Sequence, residues 1–219
     1  MSDKESMEEN EADEWCGKAF ISLSEGDFHK GIEYYSKAIQ LDPENFEALY
    51  NRALAYDSIE EHDMALQDLN RTLELESNNI DIYWHRGHTY DNMGDYTSAI
   101  QDFDKVIEKD PSYEDAFFYR GEVYFATEQA ELAVDDYNRS IELDKNNIKA
   151  YISRGIALTK LGRLNEAIQD FTAVIQLDPD DSEAYYLRYM LYKALDQNDE
   201  SDKDYHKAIE LGYDLDNES

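Results

Sequence analysis

The chain has 219 residues and carries 51 acidic against 20 basic side chains, a formal charge of −31. That charge repels phosphate backbones and anionic bilayers, so neither nucleic acid nor a membrane surface is an expected partner. No apolar run approaches the roughly 18 residues of a membrane span, and a single cysteine, Cys16, permits no internal disulfide and fits a reducing, cytoplasmic setting.

In chain order, residues 1–11 are acidic and lack periodic apolar residues, which predicts a disordered tail and not a signal peptide. From Ala12 the chain divides into six 34-residue blocks, 12–45, 46–79, 80–113, 114–147, 148–181 and 182–215, with a short tail at 216–219. Self-similarity at this period denotes stacked helix–turn–helix units, each too small to bury its own apolar face. Each block predicts a helix A at about positions 1–14 and a helix B at about positions 18–31, giving about twelve helices of ~20 Å each. Position 20 is small throughout (Gly31, Ala65, Ala99, Ala133, Ala167, Ser201), which predicts close A–B contacts there. Position 24 is large throughout (Tyr35, Leu69, Phe103, Tyr137, Phe171, Tyr205). Asn45, Asn79, Asn147 and Asp181 close their blocks and can N-cap the next helix.

A second period of 68 is superimposed: Pro43, Pro111 and Pro179 recur at that spacing, as do Gly26, Gly94 and Gly162 at position 15 of the odd blocks. The even blocks place Glu60, Glu128 and Asp196 there instead. Glycine tolerates a left-handed backbone that other residues resist, so the even blocks are expected to be the looser joints.

The run from Tyr83 through Trp84, His85, Arg86, Gly87, His88 and Thr89 to Tyr90, followed by Gly94–Asp95–Tyr96, Ala99–Ile100 and Asp110–Pro111, resembles a tetratricopeptide repeat (TPR). The resemblance covers residues 12–215 without a gap. It implies an all-α, right-handed α-solenoid forming one domain, whose inner surface takes protein ligands. Ser22 and Tyr189 depart from the pattern in the first and last blocks, as terminal, cap-like repeats do. Co-chaperone members of this family grip a C-terminal carboxylate with Lys at position 5 and Asn at position 9 of one repeat, then Asn, Lys and Arg of the next two. Here positions 5 and 9 read Cys16/Phe20, Tyr50/Leu54, Trp84/His88, Phe118/Glu122, Ile152/Ile156 and Tyr186/Met190, and Asn51 alone sits at position 6. A clamp for chaperone tails is therefore not expected.

At 100° per residue, positions 2, 5, 6, 9, 12 and 13 of helix A are left over once its two apolar stripes are packed. In blocks 2–4 that arc carries the acids Glu47, Asp57, Asp81, Asp91, Asp115 and Glu122. Its aromatics are Tyr50, Trp84, Phe118, Tyr119 and Phe125, joined by Asn51, His85 and His88, with no Lys or Arg on the arc. Lys149, Lys160 and Lys193 enter only in blocks 5 and 6. The helix dipole accounts for acids at position 2, namely Glu47, Asp81 and Asp115, but not for Asp57, Asp91 or Glu122 later in their helices. Large apolar bodies on an exposed face are the usual anchors of recognition.

Five arginines at position 7, Arg52, Arg86, Arg120, Arg154 and Arg188, fall in the middle of the apolar arc, where an unpaired charge is costly. Position 23 supplies Asp68, Asp102, Asp136, Asp170 and Asp204 in step, and block 1 lacks both members, with Lys18 and Tyr34 in their places. This predicts a ladder of ion pairs within the repeats that fixes register. On the outward face of helix B, Glu33–Lys37 and Asp135–Arg139 are spaced for i,i+4 pairs.

No phosphate-binding glycine loop, nucleophile elbow or cysteine pair is present, so no enzyme and no cofactor are expected. The expected function is a protein–protein interaction scaffold binding a basic, partly apolar peptide or helix in an acidic–aromatic groove. One alternative is an assembly subunit docking through its outer face or ends. The other is a zinc-dependent or catalytic module on Asp81, His85 and His88, whose i, i+4, i+7 spacing lines one helix face but gathers fewer elements than zinc usually draws on.

Overall fold

The computed structural model describes residues 3–214, with side chains from Asn10 onward, and among these it holds twelve α-helices and no strand. The chain forms two compact units, residues 1–109 and 110–219. Unit 1 contains α1 (Asp3–Ser24), α2 (Phe28–Leu41), α3 (Phe46–Ser58), α4 (His62–Leu75), α5 (Ile80–Asn92) and α6 (Tyr96–Lys109). Unit 2 contains α7 (Glu114–Ala126), α8 (Ala130–Leu143), α9 (Ile148–Lys160), α10 (Leu164–Leu177), α11 (Ser182–Ala194) and α12 (Asn198–Glu210). In both, each odd-numbered helix pairs with the next as an A–B hairpin, and successive hairpins pack side by side. The fold is an all-α solenoid built on the 34-residue repeat.

The helix starts follow from the chemistry of the block ends. The Asn45, Asn147 and Asp181 carboxamide or carboxylate oxygens accept the backbone N–H of Ala48, Ala150 and Ala184 at 2.9, 3.0 and 2.8 Å, and Asn79 accepts that of Asp81 at 3.0 Å. Each satisfies a donor that the first helical turn leaves without an intrahelical partner. At the N-terminus the structure corrects the expected boundary: α1 begins at Asp3, so residues 3–11 extend the first A helix backward. Acidic residues at a helix start are favoured by the macrodipole, and Glu and Met are good helix formers, so an apolar period is not required there. The expected C-terminal tail lies outside the described residues.

The turns between A and B helices share one backbone conformation in odd and even blocks. Gly26, Gly94 and Gly162 have φ of 82°, 77° and 74°, and Glu60, Glu128 and Asp196 adopt the same conformation at 64°, 62° and 57°. An L side chain in this region costs about 1–2 kcal/mol, so the even blocks hold as backbone strain what the odd blocks avoid with glycine.

Ala65, Ala99, Ala133 and Ala167 at position 20 are fully buried in the A–B contact. Position 8 is cut to match position 24. A Cβ on Gly87, Gly121 or Gly155 would stand 2.8 to 2.9 Å from Phe103, Tyr137 or Phe171, closer than side chains approach. In block 6, where Tyr189 replaces the small residue, its ring tilts against Tyr205 at 5.2 Å instead.

All five arginines fork onto the position-23 aspartate of their own block, with Nε and Nη2 bonds of 2.5 to 2.9 Å to Asp68, Asp102, Asp136, Asp170 and Asp204. Burial opposes the charge on Arg52, Arg86 and Arg188, but the aspartate hydrogen bond and charge outweigh it and raise their pKa. The third guanidinium nitrogen does something the spacing did not announce: Nη1 of Arg52, Arg86, Arg154 and Arg188 bonds Ser36, Asn70, Asn138 and Thr172 at 2.7 to 2.9 Å. These four are the position-25 residues of the preceding block, so in blocks 2, 3, 5 and 6 the ladder arginine ties its repeat both to itself and to the one before it. In block 1, Lys18 lies 4.0 Å from the Trp15 ring centroid in place of such a pair.

The outward pairs are partly as spaced. Lys37 bonds Glu33 at 2.6 Å, whereas Arg139 turns to Glu142, three residues on, at 2.9 Å and not to Asp135.

Candidate protein-binding faces

In unit 1, the free faces of α3 and α5 meet. The Tyr50 ring stacks on Phe46 at 5.7 Å and stands edge-on to His85 at 5.6 Å, joining the two helices. Trp84 is half-buried against His88 (4.3 Å) and Phe103 (5.7 Å), so its indole is braced by the core while part of it stays open. Burial pushes the His88 imidazole down to about 4, reinforced by neighbouring His85 and opposed by Asp57. It also lowers His85 against the pull of Asp81 and Asp57. Burial thus disfavours the charged form of both rings. Among the described residues no three His, Cys, Asp or Glu side chains converge to hold a metal ion.

The acids of this face divide into two sorts. Glu47 and Asp81 are exposed at the first turns of α3 and α5. Asp57 is engaged internally, 2.7 Å from His62 Nδ1 across the A–B turn. Asp91 is half-buried at the end of α5, and Asn51 donates its side-chain N–H to the Glu47 carbonyl at 2.9 Å.

In unit 2 the corresponding residues of α7 are more deeply spent. Phe118, expected as an exposed anchor, is only 7% exposed and belongs to the core around Tyr137, Ala150 and Phe171. Tyr137 packs beneath it at 6.0 Å. The Tyr137 hydroxyl donates to Glu122 at 2.5 Å, so this acid also serves the interior. Burial, followed by the Glu122 hydrogen bond, raises the Tyr137 pKa far above its ordinary value. Tyr119 stands edge-on to Phe118 at 5.1 Å and is partly buried, and Asp115 alone of the α7 acids projects freely from the first turn.

What unit 2 offers instead is an apolar groove of about 510 Å³ over α7, α9 and α11, lined by Phe125, Ile156, Lys160, Tyr186 and Met190 and floored by Phe171. Ile156 and Met190 are 38% and 46% exposed. Lys160 Nζ lies 5.3 Å from the Phe125 ring centroid and 3.9 Å from Glu128. Tyr186 is also stacked by Tyr213 at 4.2 Å. The signal for this groove was in the sequence: positions 5 and 9 of blocks 5 and 6 are Ile152/Ile156 and Tyr186/Met190, an apolar set where a clamp would need Lys and Asn.

Helical hairpins in register, with open faces on the A helices, define a helical-repeat protein. The chain belongs to the tetratricopeptide repeat family: models described as "Tetratricopeptide repeat" match residues 46–79, 86–148 and 148–181, and one described as "TPR repeat" matches 21–59. Among solved structures it resembles YrrB, described as a TPR protein with an unusual peptide-binding site, at 29% identity and a TM-score of 0.70 over 83% of this chain and 93% of that one. A tetratricopeptide repeat protein from Parabacteroides merdae superposes with a TM-score of 0.79 at 21% identity, covering 94% and 81% of the two chains. A shorter stretch of 61 residues is 36% identical to Hsp70-Hsp90 organizing protein 2 of Arabidopsis thaliana, spanning 28% of this chain and 11% of that relative. Tetratricopeptide repeat proteins mediate protein–protein interactions. Among the described residues no helix is long and apolar enough to cross a membrane.

Proposed function

We propose that this chain is a non-catalytic protein-interaction scaffold whose unit 1 face binds a basic, partly apolar segment of a partner. The observation that carries the reading is the aromatic surface of Tyr50, Trp84 and His85, flanked by exposed Glu47 and Asp81 on positions that hold no Lys or Arg in α3 or α5. Trp84 would supply apolar burial at about 25 cal/mol per Å². The acids would select positive charge and steer encounter. On α7 of unit 2, Asp115 is exposed, while Phe118 and Glu122 are better placed to hold the core than a ligand. Titration of a lysine- and leucine-containing peptide tests it. Binding should weaken about tenfold in Trp84→Ala and fall as salt rises, since exposed charges are screened within ~8–10 Å at physiological ionic strength. Indifference to both would reduce this face to a solvated surface.

A second reading, docking through an end of the array, is favoured by α1, where Phe20 and Ile21 are 65% and 56% exposed. Self-association that rises with concentration and disappears in Ile21→Glu would support it.

A further inference from the structure

We infer that unit 2 carries a docking site of opposite charge preference: its apolar groove takes a partner segment that pairs large apolar side chains with carboxylates. This deepens the scaffold reading but rests on different residues.

Two observations carry it. The first is the groove itself, about 510 Å³ with Ile156 and Met190 open at its surface. Clefts of ~300–1,000 Å³ hold ligands of several side chains' bulk, and flexible methionine with aromatic walls accommodates varied apolar shapes. The second is charge. In a chain with only 20 basic residues, the A-helix arc of unit 2 receives Lys149, Lys160 and Lys193, whereas the same positions of α3 and α5 receive none. Lys160 and Lys193 sit in the last turns of α9 and α11, where the dipole favours a cation, so helix stability alone can account for them. Lys149 cannot be explained in this way. It occupies the first turn of α9, where a cation opposes the dipole, although it does not itself line the groove. Lys160 holds its ammonium beside the apolar wall, over Phe125, where a carboxylate flanking an inserted apolar side chain would meet it.

The net charge of −31 works against an acidic partner at long range. Beyond ~8–10 Å that field is screened at physiological salt, so Lys160, the charged residue lining the groove, decides the local preference, with a partner carboxylate displacing its exposed 3.9 Å contact with Glu128.

The test attaches an environment-sensitive fluorophore to Thr159→Cys, an exposed position on the groove wall. The one natural cysteine, Cys16, is buried and its thiol pushed up to about 11 by that burial, so it does not compete for the label. The probes are an amphipathic leucine–glutamate peptide and its leucine–lysine counterpart. The glutamate peptide should change the fluorescence saturably, and the lysine version should bind this site at least about tenfold more weakly. Binding should be lost in the Ile156→Glu/Met190→Glu variant, should weaken severalfold in Lys160→Glu, and should be unchanged in Trp84→Ala. Both replaced apolar residues are exposed, and the Lys160→Glu variant tests the charge preference without touching them. Equal binding of the two peptides, or indifference to Ile156, Met190 and Lys160, would overturn the proposal. The Trp84-dependent titration of the basic peptide reads the unit 1 face separately, so either site can fail while the other stands.

Discussion

Each A helix has a seam side and a free side, and the same charged residues mean different things on the two. On the seam, positions 7 and 23 bring a guanidinium and a carboxylate into a two-bond fork out of water, as in Arg86 with Asp102. On the free side of the same helix, Asp81 meets solvent at the first turn. Composition counts both as acids. Which helix an acid sits on, its angular position and what the neighbouring helix brings to it together decide whether it holds repeats together or meets solvent.

The largest expected effect would break this contrast directly. Asp102→Ala strands the Arg86 guanidinium in a part-buried seam and should cost about 3 kcal/mol, whereas Asp81→Ala should cost below ~1 kcal/mol, the worth of a helix-dipole contact. Urea denaturation of the two variants measures both, and equal losses would erase the distinction between the sides.

The next effect is one of pH, and it lies where the free side dips into the core. The folded His88 pKa, about 4, is below the unfolded value near 6.5, so between these the unfolded state binds more protons and stability rises with pH. The contribution is fully present above pH 6.5 and lost as pH falls toward 4, on the order of 1–3 kcal/mol. His88→Phe should flatten that part of the pH–stability profile. A profile identical to wild type would place His88 in contact with water in the folded state.

A smaller, two-signed effect concerns position 24 on helix B, which reaches under the free side. The Tyr137 hydroxyl has Glu122 as acceptor, whereas the buried Tyr35 hydroxyl has no hydrogen-bond partner among the described residues, and its block carries Phe20 at the position of Glu122. Tyr137→Phe should cost about 1 kcal/mol and Tyr35→Phe should gain a similar amount, read from thermal melts. The last effect, of similar size, belongs to neither side of the helix. Gly94→Ala should cost about 1 kcal/mol by placing a Cβ at positive φ, while Glu60→Gly should be neutral to slightly stabilising. Equal costs in both turns would show that the shared φ carries no strain.

Much of the fold was legible because its signals are local. Capping at Asn45 and Asp181 is a matter of a few residues, and each ladder pair lies within one repeat, so joint presence and absence at positions 7 and 23 sufficed to pair them. The candidate site was less legible. Phe118, Asp57 and Glu122 share the helical phase of exposed residues, but Phe118 is buried over Tyr137, Asp57 is held by His62 and Glu122 by Tyr137. Periodicity tells where a side chain departs from its helix and not what arrives from the next one. Lys160, read as a sign of mixed character, proved to flank an apolar groove.

The sequence alone determined the repeat, the helix boundaries within the array, the family and the existence of a paired charge in every seam but the first, because all of these depend on spacing along one chain. The tertiary structure decided which free-side residues stay exposed, where the apolar groove opens, and that Arg52, Arg86, Arg154 and Arg188 also bond the preceding repeat. Those depend on the reach and rotamer of side chains from neighbouring helices, a three-dimensional complementarity that no period along the chain encodes.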